Sequence, residues 1–410
     1  MRSRSEHFRA RWARTFMPHT MHALLPFCSC LVLFGCGDHD EPGPGHDRGG
    51  LMKSYEVGTF DKAEITRYLA DFELDTSKVE RGLAGYRLVY ETVDAQGQAT
   101  TASALLALPQ SNGASMPAAV WMHGTTVFRG EAASVNNESS DRAAAFYLAA
   151  AGYVTIAPDY LGLGEGPGTH PYDDADTEVS ASVDALKAAA HFLEERHVTL
   201  GPKLFVSGHS QGARASLELG KALQAGAAPG LEIAGIAPIS GPYDMSYTLS
   251  VAVSGDIAFA TAYVSYLVVA WNRLHHLYDT PSDAFLAPYA ASIETLFDNN
   301  HPPQEVLAAL PQTLEELFTP TFLGELRRPR GALRAALRRA DSACDFSSSV
   351  PVTLFAASGD EDVPISNADH CLSQLEHHDT KARLVDVGAV DHSTSATLAL
   401  PLVVDEFAAR

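Results

Sequence analysis

Residues Gly208-His209-Ser210-Gln211-Gly212 lie between an apolar run, Lys203 to Ser207, and a helical pattern, Gln211 to Ala225. A G-x-S-x-G sequence that follows a strand and opens a helix forms a sharp turn, because its glycines permit a strained backbone at the serine. The turn exposes the serine hydroxyl at the carboxyl edge of the sheet, beside a helix N-terminus that stabilises developing negative charge. The stretch therefore predicts an α/β sheet with Ser210 as a nucleophile. The alternative is a glycine-rich turn without catalysis.

Predicted strands and helices alternate on both sides of this turn. Apolar strands are expected at 118–122, 153–157, 203–207, 231–239, 350–356 and 383–387, after an antiparallel hairpin at 85–92 and 100–108. Near-continuous apolar strands that alternate with helices indicate a mostly parallel sheet with helices on both faces. From about 250 to 342 the patterns are helical only. We interpret this block as an inserted helical cap within one domain, 51–410, because the strands after it are needed to complete the sheet.

A serine nucleophile needs a base to accept its proton. In the α/β-hydrolase fold the acid follows the nucleophile along the chain, and the histidine follows the acid. The predicted strand 350–356 is followed by Asp360, and the last strand is followed by His392. We therefore predict a triad in which His392 is the base and Asp360 orients it. Glu361 and Asp362 are the competing acids in the same loop.

An oxyanion is stabilised by two backbone N–H donors. One is expected from Gln211, directly after the nucleophile. The other is expected from Thr125, just past His123-Gly124 in the loop after the strand 118–122; alternatively, this loop is only a tight turn. The sequence has no H-E-x-x-H motif and no pair of C-x-x-C motifs, so we expect no catalytic metal and no cofactor.

Several short stretches together resemble the secretory lipase and esterase group of the α/β hydrolases. They are Met122-His123-Gly124-Thr125, Ala157 to Gly164, His170-Pro171-Tyr172, Ser210-Gln211-Gly212 and Gly241-Pro242-Tyr243-Asp244. The likeness runs from about Tyr86 to the C-terminus, in the family's order. It implies the α/β-hydrolase fold and cleavage of carboxylic esters. The pattern Asp360-x-x-Val363-Pro364 is similar to the family's acid loop and favours Asp360 over Asp362.

The first 35 residues have the composition of a bacterial signal peptide. Five arginines precede an apolar run from Ala23 to Phe34, which is too short to span a bilayer comfortably but suits a signal-peptide core. The run ends in Leu33-Phe34-Gly35-Cys36, which resembles a lipobox, so Cys36 is a candidate lipidation site. An ordinary secretory signal is the alternative, and Met17 or Met21 is an alternative start. Residues 36–50 are rich in Gly and Pro and predict a flexible tether.

Charge and cysteine usage fit an exported protein. The formal net charge of −21 repels nucleic acid and anionic lipid at long range. We therefore expect no nucleic-acid partner, and membrane contact only through the N-terminal lipid. Besides Cys36 and two cysteines in the signal, the chain has Cys344 and Cys371, which an oxidising compartment would allow to form a disulfide. Two separate buried thiols are the alternative.

The sequence thus predicts an exported serine hydrolase, membrane-anchored or secreted, that cleaves carboxylic esters. A serine peptidase or an acyltransferase would use the same residues, and a binding lipoprotein that has lost activity is a rival of another class. Within the cap, Val264 to Trp271 is apolar and aromatic. It is expected either to line an acyl pocket, since ligand pockets are mostly apolar, or simply to pack the cap.

Overall fold

A sheet of nine strands runs through residues 47–111 and 115–410, the part of the chain that this computed structural model describes. The strands are β1 (Leu51–Phe60), β2 (Leu83–Val93), β3 (Ala99–Pro109), β4 (Met116–Met122), β5 (Val154–Pro158), β6 (Leu200–His209), β7 (Glu232–Ile239), β8 (Val352–Ala356) and β9 (Ala382–Asp386). Their order across the sheet is β1-β2-β3-β5-β4-β6-β7-β8-β9. The first three strands and the β3–β5 pair are antiparallel, and the pairs from β5 through β4 to β9 are parallel.

Helices cover both faces of this sheet. The α-helices of the described residues are α1 (Lys62–Asp71), α2 (Ser140–Ala150), α3 (Ala175–Glu195), α4 (Gln211–Gln224), α5 (Met245–Ser254), α6 (Ala260–His275), α7 (Pro281–Ala284), α8 (Ile293–Leu296), α9 (Pro303–Ala309), α10 (Leu314–Leu317), α11 (Pro320–Arg327), α12 (Gly331–Ala340), α13 (Ser366–His377) and α14 (His392–Ala408). Apolar side chains of α3, α4 and α13 form one core against the sheet, and those of α1, α2 and α14 form another. The predicted α/β fold, with a mostly parallel sheet covered on both faces, is confirmed.

Strand β1 was not predicted from the sequence. It pairs antiparallel with β2, but its register shifts twice, between Leu51 and Lys53 and between Glu56 and Gly58. Most of its side chains are exposed, because it is the edge strand. An exposed strand with irregular register shows no apolar alternation, so no sequence pattern predicts it.

The helices from Met245 to Ala340 form a cap with a hydrophobic core of its own. The cap leaves the sheet after β7 and returns before β8, and these two strands are neighbours that pair at Ile236–Val352 and Ile239–Phe355. The first cap helix starts a few residues before the predicted boundary at about 250. Both ends of the cap therefore meet the sheet at adjacent strands.

A disulfide joins Cys344 to Cys371, and both residues are fully buried. It links the segment between the cap and β8 to helix α13. None of the helices between residues 47 and 410 that the structure describes is long and apolar enough to span a bilayer. The predicted signal peptide, Cys36 and the tether up to residue 46 lie outside the described residues.

Candidate active site

Ser210 lies in the sharp turn between β6 and α4. Its backbone has φ 58° and ψ −122°, a conformation that costs a non-glycine residue about 1–3 kcal/mol. Its N–H donates to the carbonyl of Ile239, 3.0 Å away, which fixes the turn to β7. Neither flanking glycine has room for a side chain: a Cβ at Gly208 would collide with the Gly212 carbonyl, and one at Gly212 with the Met122 carbonyl. The sequence thus holds Ser210 in this conformation by tight backbone packing.

The structure brings His392 and Asp360 together beside this turn. The Nδ1–H of His392 donates to Asp360 Oδ2 at 2.6 Å, and the Asp360 carboxylate is fully buried. The other carboxylate oxygen, Oδ1, accepts the backbone N–H of Asp362 at 3.0 Å and of Val363 at 2.8 Å. Since Asp360 occupies Nδ1, the ring nitrogen left for the substrate is Nε2. His392 and Ser210 line the same pocket.

Of the three acids in this loop, Asp360 hydrogen-bonds to His392, whereas Glu361 is exposed and Asp362 makes no such bond. Burial raises the pKa of Asp362 to about 6, with the His392 charge opposing the shift and Asp360 adding to it. The buried Oδ1 of Asp362 has no hydrogen-bond partner. Asp362 lines the pocket as a second carboxyl group near the base.

The surroundings of His392 favour its charged form. Burial lowers the pKa of His392, but the hydrogen bond and charge of Asp360 raise it, with further help from Asp362 and Asp391. The net effect is a pKa above the ordinary histidine value. This suits a base that must carry a proton between two steps of a reaction.

The ring of His209 packs against the ring of His392. Its ring centroid lies 4.5 Å from that of His392, and its Nε2–H donates to the His392 carbonyl at 3.1 Å. Burial and the charge of His392 hold the pKa of His209 well below the ordinary range, so this ring is neutral. Nothing in the spacing of the motif predicts a contact between its middle position and His392, so the sequence alone assigns no role to His209.

The two predicted oxyanion donors, Thr125 and Gln211, line the pocket with Ser210. The loop of Thr125 passes close to the nucleophile: a Cβ at Gly124 would lie 3.6 Å from the Cβ of Ser210. The Thr125 hydroxyl hydrogen-bonds to the hydroxyl of Tyr172 at 2.9 Å. The His170-Pro171-Tyr172 stretch, noticed only as a resemblance, therefore contacts the oxyanion loop.

Gln211 is held by buried polar groups behind the nucleophile. Its side-chain amide donates to Glu178 at 2.7 Å and lies 3.1 Å from His170 Nε2. Glu178 in turn accepts from Arg214 at 3.2 Å, and Arg214 also binds Asp173 at 3.1 Å. Arg214 and Glu178 are fully buried, and Asp173 is nearly so. This network fixes the start of α4, where Gln211 follows Ser210.

One cap residue, Asn299, ties these loops together. It is fully buried, with φ 66°, between α8 and α9. Its side-chain carbonyl accepts the backbone N–H of His170 at 2.6 Å, and its amide donates to the Val127 carbonyl at 3.1 Å. The amide also donates to the Tyr266 hydroxyl at 3.0 Å, which donates to the Thr126 carbonyl at 3.2 Å. We call this arrangement the Asn299 clamp. No local sequence signal marks it.

The cap supplies the apolar wall of the pocket. Its contribution comes from α5, α6 and the loop between them: Met245, Leu249, Ala252, Ile257, Val264 and Leu267. Of the predicted stretch Val264 to Trp271, therefore, only part faces the pocket. Val268 and Trp271 pack inside the cap, where the Trp271 indole donates to the Tyr172 carbonyl at 3.2 Å.

Comparisons with known proteins give structural matches only. No protein-family model and no curated protein sequence matches the chain. A hydrolase from Legionella pneumophila matches with a TM-score of 0.80 and 29% identity, over 88% of this chain and 97% of that one. The rice cell wall degrading esterase LipA from Xanthomonas oryzae matches with a TM-score of 0.77 and 26% identity, over 88% and 97%.

A more distant match supports the fold alone. Candida antarctica lipase A in its closed state has a TM-score of 0.64 and 16% identity, over 88% of this chain and 83% of that one. Together with the sheet order, the matches confirm the α/β-hydrolase fold and the likeness to its lipase and esterase group.

Proposed function

We propose that this α/β hydrolase cleaves carboxylic esters through an acyl-enzyme on Ser210. The observation that carries the proposal is the 2.6 Å bond from His392 Nδ1 to Asp360, next to a strained serine in the same pocket. Ester cleavage is favoured over other acyl transfers because the Xanthomonas oryzae neighbour is named an esterase.

The proposed reaction has two stages. His392 Nε2 takes the proton of the Ser210 hydroxyl as its oxygen attacks the acyl carbon, and then returns that proton to the departing alcohol. Water attacks the resulting acyl-enzyme, with His392 again as the base, and releases the acid and free Ser210. Asp360 holds the ring tautomer and stabilises the charged imidazole.

In the same proposal the amides of Thr125 and Gln211 stabilise the tetrahedral oxyanion. Removing one such donor from a serine hydrolase costs about 10²–10³ in kcat. The side-chain bonds of Thr125 to Tyr172 and of Gln211 to Glu178 fix both backbones before substrate arrives. Donors fixed in advance need no reorganisation during the reaction, which is the source of their effect.

A fluorophosphonate probe tests the nucleophile. The full chain should be labelled, and Ser210→Ala should not be, while its melting temperature stays near that of the parent. Ester turnover should fall by several orders of magnitude in the same variant. Labelling or near-normal turnover of Ser210→Ala would refute the assignment.

A substrate panel tests the class of reaction and the pocket. We expect p-nitrophenyl esters to be cleaved and peptide anilides not. The apolar lining predicts that kcat/KM rises from acetyl to butyryl or hexanoyl esters, since each buried methylene contributes up to about 0.8 kcal/mol. Leu249→Trp, which narrows the pocket, should shift the optimum to shorter acyl chains. A profile that is flat from acetyl onward would argue against an acyl pocket under the cap.

We further propose that the chain is exported and lipidated on Cys36. The support is the signal-like leader in the sequence and a buried disulfide, which is typical of oxidising compartments. Metabolic labelling with a radioactive fatty acid tests this: the parent should be labelled and Cys36→Ser should not. A labelled Cys36→Ser chain, or an unlabelled parent, would contradict the proposal.

A further inference from the structure

The last two cap helices carry a dense group of arginines in an otherwise acidic protein. Six of the 29 basic residues fall between positions 327 and 339: Arg327, Arg328, Arg330, Arg334, Arg338 and Arg339. All six side chains are exposed. The net charge of −21 conceals this patch because a net charge averages over the whole surface. Charges are screened beyond about 8 Å at physiological salt, so a ligand at the patch meets the charges near it. These include the arginines and the carboxylate of Asp341, which accepts hydrogen bonds from Ser246 at 2.9 and 2.6 Å.

Most of this positive charge has no acidic partner. Arg327 pairs with Glu315 at 2.7 Å, and Arg339 lies 3.8 Å from Asp176, but both pairs are more than half exposed. Exposed pairs of this kind contribute little energy and exchange readily. For the remaining four arginines, no carboxylate of residues 47–111 and 115–410 lies within salt-bridge distance, 4.0 Å. The patch is therefore free to bind an anion.

Three of the arginines border one groove. Arg327, Arg334 and Arg338 surround an apolar floor of Leu326, Pro329 and Leu337. Arg334 and Arg338 are one helical turn apart, so both extend from the same side of α12. A guanidinium group binds phosphate oxygens with two parallel hydrogen bonds, and it remains protonated and positively charged in proteins. We call this site the arginine groove.

Helix α5 lies between the arginine groove and the catalytic pocket. Ser246 and Ser250 line the groove, whereas Met245 and Leu249 of the same helix line the pocket. A ligand in the groove would therefore contact the helix that forms the acyl wall. The proposed anion site and the proposed ester site therefore share helix α5 as a common wall.

The N-terminal end of the described chain lies at the edge of the sheet where the parallel strands have their carboxyl ends. Leu51 pairs with Tyr90 near the end of β2, and β2 ends opposite the start of β3. The start of β3 lies at the carboxyl end of β5, where Ala104 pairs with Pro158. This is the edge that bears Ser210 and the cap. The described chain therefore begins at the edge of the sheet from which the cap extends.

We propose that the arginine groove binds phosphate groups of an anionic lipid bilayer. A cationic rim around an apolar floor matches the boundary between the charged headgroups and the apolar acyl chains of a bilayer. A soluble phosphate ion has no apolar part that could contact the floor. The net charge of −21 predicts membrane contact only through the N-terminal lipid, and the arginine groove would add a second contact. It would hold the cap against the membrane surface, with helix α5 between the bilayer and the ester pocket.

Vesicle co-sedimentation tests the inference. The probe is the full chain carrying Cys36→Ser, so that no lipid anchor contributes, with phosphatidylcholine vesicles that contain or lack phosphatidylglycerol. Binding should require phosphatidylglycerol and weaken with salt. The triple variant Arg327→Gln, Arg334→Gln, Arg338→Gln should bind about 100-fold more weakly, since each basic side chain near an anionic surface contributes about fivefold.

A matched control removes three exposed basic residues elsewhere: Lys53→Gln, Lys62→Gln and Arg67→Gln. It changes the net charge equally, so it should bind like the parent. Both triple variants should hydrolyse a soluble p-nitrophenyl ester at the parent rate, which keeps this test separate from the proposed catalysis. Equal loss in both variants, or parent-like binding by the groove variant, would overturn the inference. So would displacement by inorganic phosphate at an ionic strength where chloride has no effect, because the groove would then hold a soluble phosphate.

Discussion

Asp360 and Asp362 are two residues apart, yet the structure gives them different roles. Asp360→Asn keeps the shape of the side chain but removes the charge that holds the His392 tautomer, so we expect a loss of roughly 10⁴ in kcat. Asp362→Asn should cost far less, because Asp362 makes no bond to the base. Steady-state kinetics on one soluble ester decides between them. The reverse ranking would show that Asp362 is the orienting acid.

The pH profile offers a second test of the same pair. His392 must be neutral to accept the serine proton, so kcat/KM should rise as pH increases through its pKa, which lies above the ordinary histidine value. Asp362 is among the carboxylates that raise this pKa. Asp362→Asn removes that negative charge, so the rise should move to lower pH. Glu361→Gln, an exposed acid in the same loop, is the control and should leave the profile in place. If kcat/KM of Asp362→Asn rose at the parent's pH or at a higher pH, the assignment would be contradicted.

The loops around the nucleophile depend on the cap for their position. In the Asn299 clamp one side chain holds backbone groups 129 and 172 positions away along the chain. Asn299→Asp removes the amide donor to Val127 and Tyr266 and should let the oxyanion loop shift. A displacement of about 1 Å near reacting groups can cost about 10² in rate, so we expect kcat to fall 10- to 100-fold with little change in KM.

The neighbouring Asn300 is exposed and provides the control, since Asn300→Asp should leave kcat unchanged. A purely structural role for Asn299 would lower the melting temperature without a selective effect on kcat. Inhibition by a boronate, which mimics the tetrahedral state, separates the two roles. It should weaken in Asn299→Asp by about the same factor as kcat. Unchanged boronate affinity would refute a positioning role.

These elements differ in how far the sequence predicts them. Buried parallel strands are apolar runs, so β4 and β6 and the helices between them follow from composition and spacing alone. The irregular edge strand β1 carries no such pattern. The Asn299 clamp carries none either, because its partners are backbone groups brought together only by the folded cap. The choice of Asp360 followed from a family spacing, whereas its bond to His392 depends on the relative placement of two strand ends.

In the fold as a whole, the Cys344–Cys371 disulfide joins the segment that follows the cap to helix α13. The cysteines are 27 residues apart, and constraining a loop of that length in the unfolded chain stabilises the folded state by about 3.5 kcal/mol. Replacing both by alanine should lower the free energy of unfolding by at least that amount. Activity at low temperature should persist, because neither cysteine lines the pocket. Intact mass before and after reduction should differ by two hydrogens; an unchanged mass would mean free thiols.

The insertion of the cap between β7 and β8 has a consequence for how such enzymes diversify. All three proposed triad residues lie outside the cap, in the part of the domain built around the sheet. Both junctions of the cap are on neighbouring strands. Recombination could therefore replace the whole insert and install a new substrate range without rebuilding the chemistry. Asn299 limits such replacement, because it belongs to the cap while its two main-chain partners belong to the rest of the domain. An enzyme that acquired a different cap without this amide would gain a new substrate preference, but its kcat would be lower.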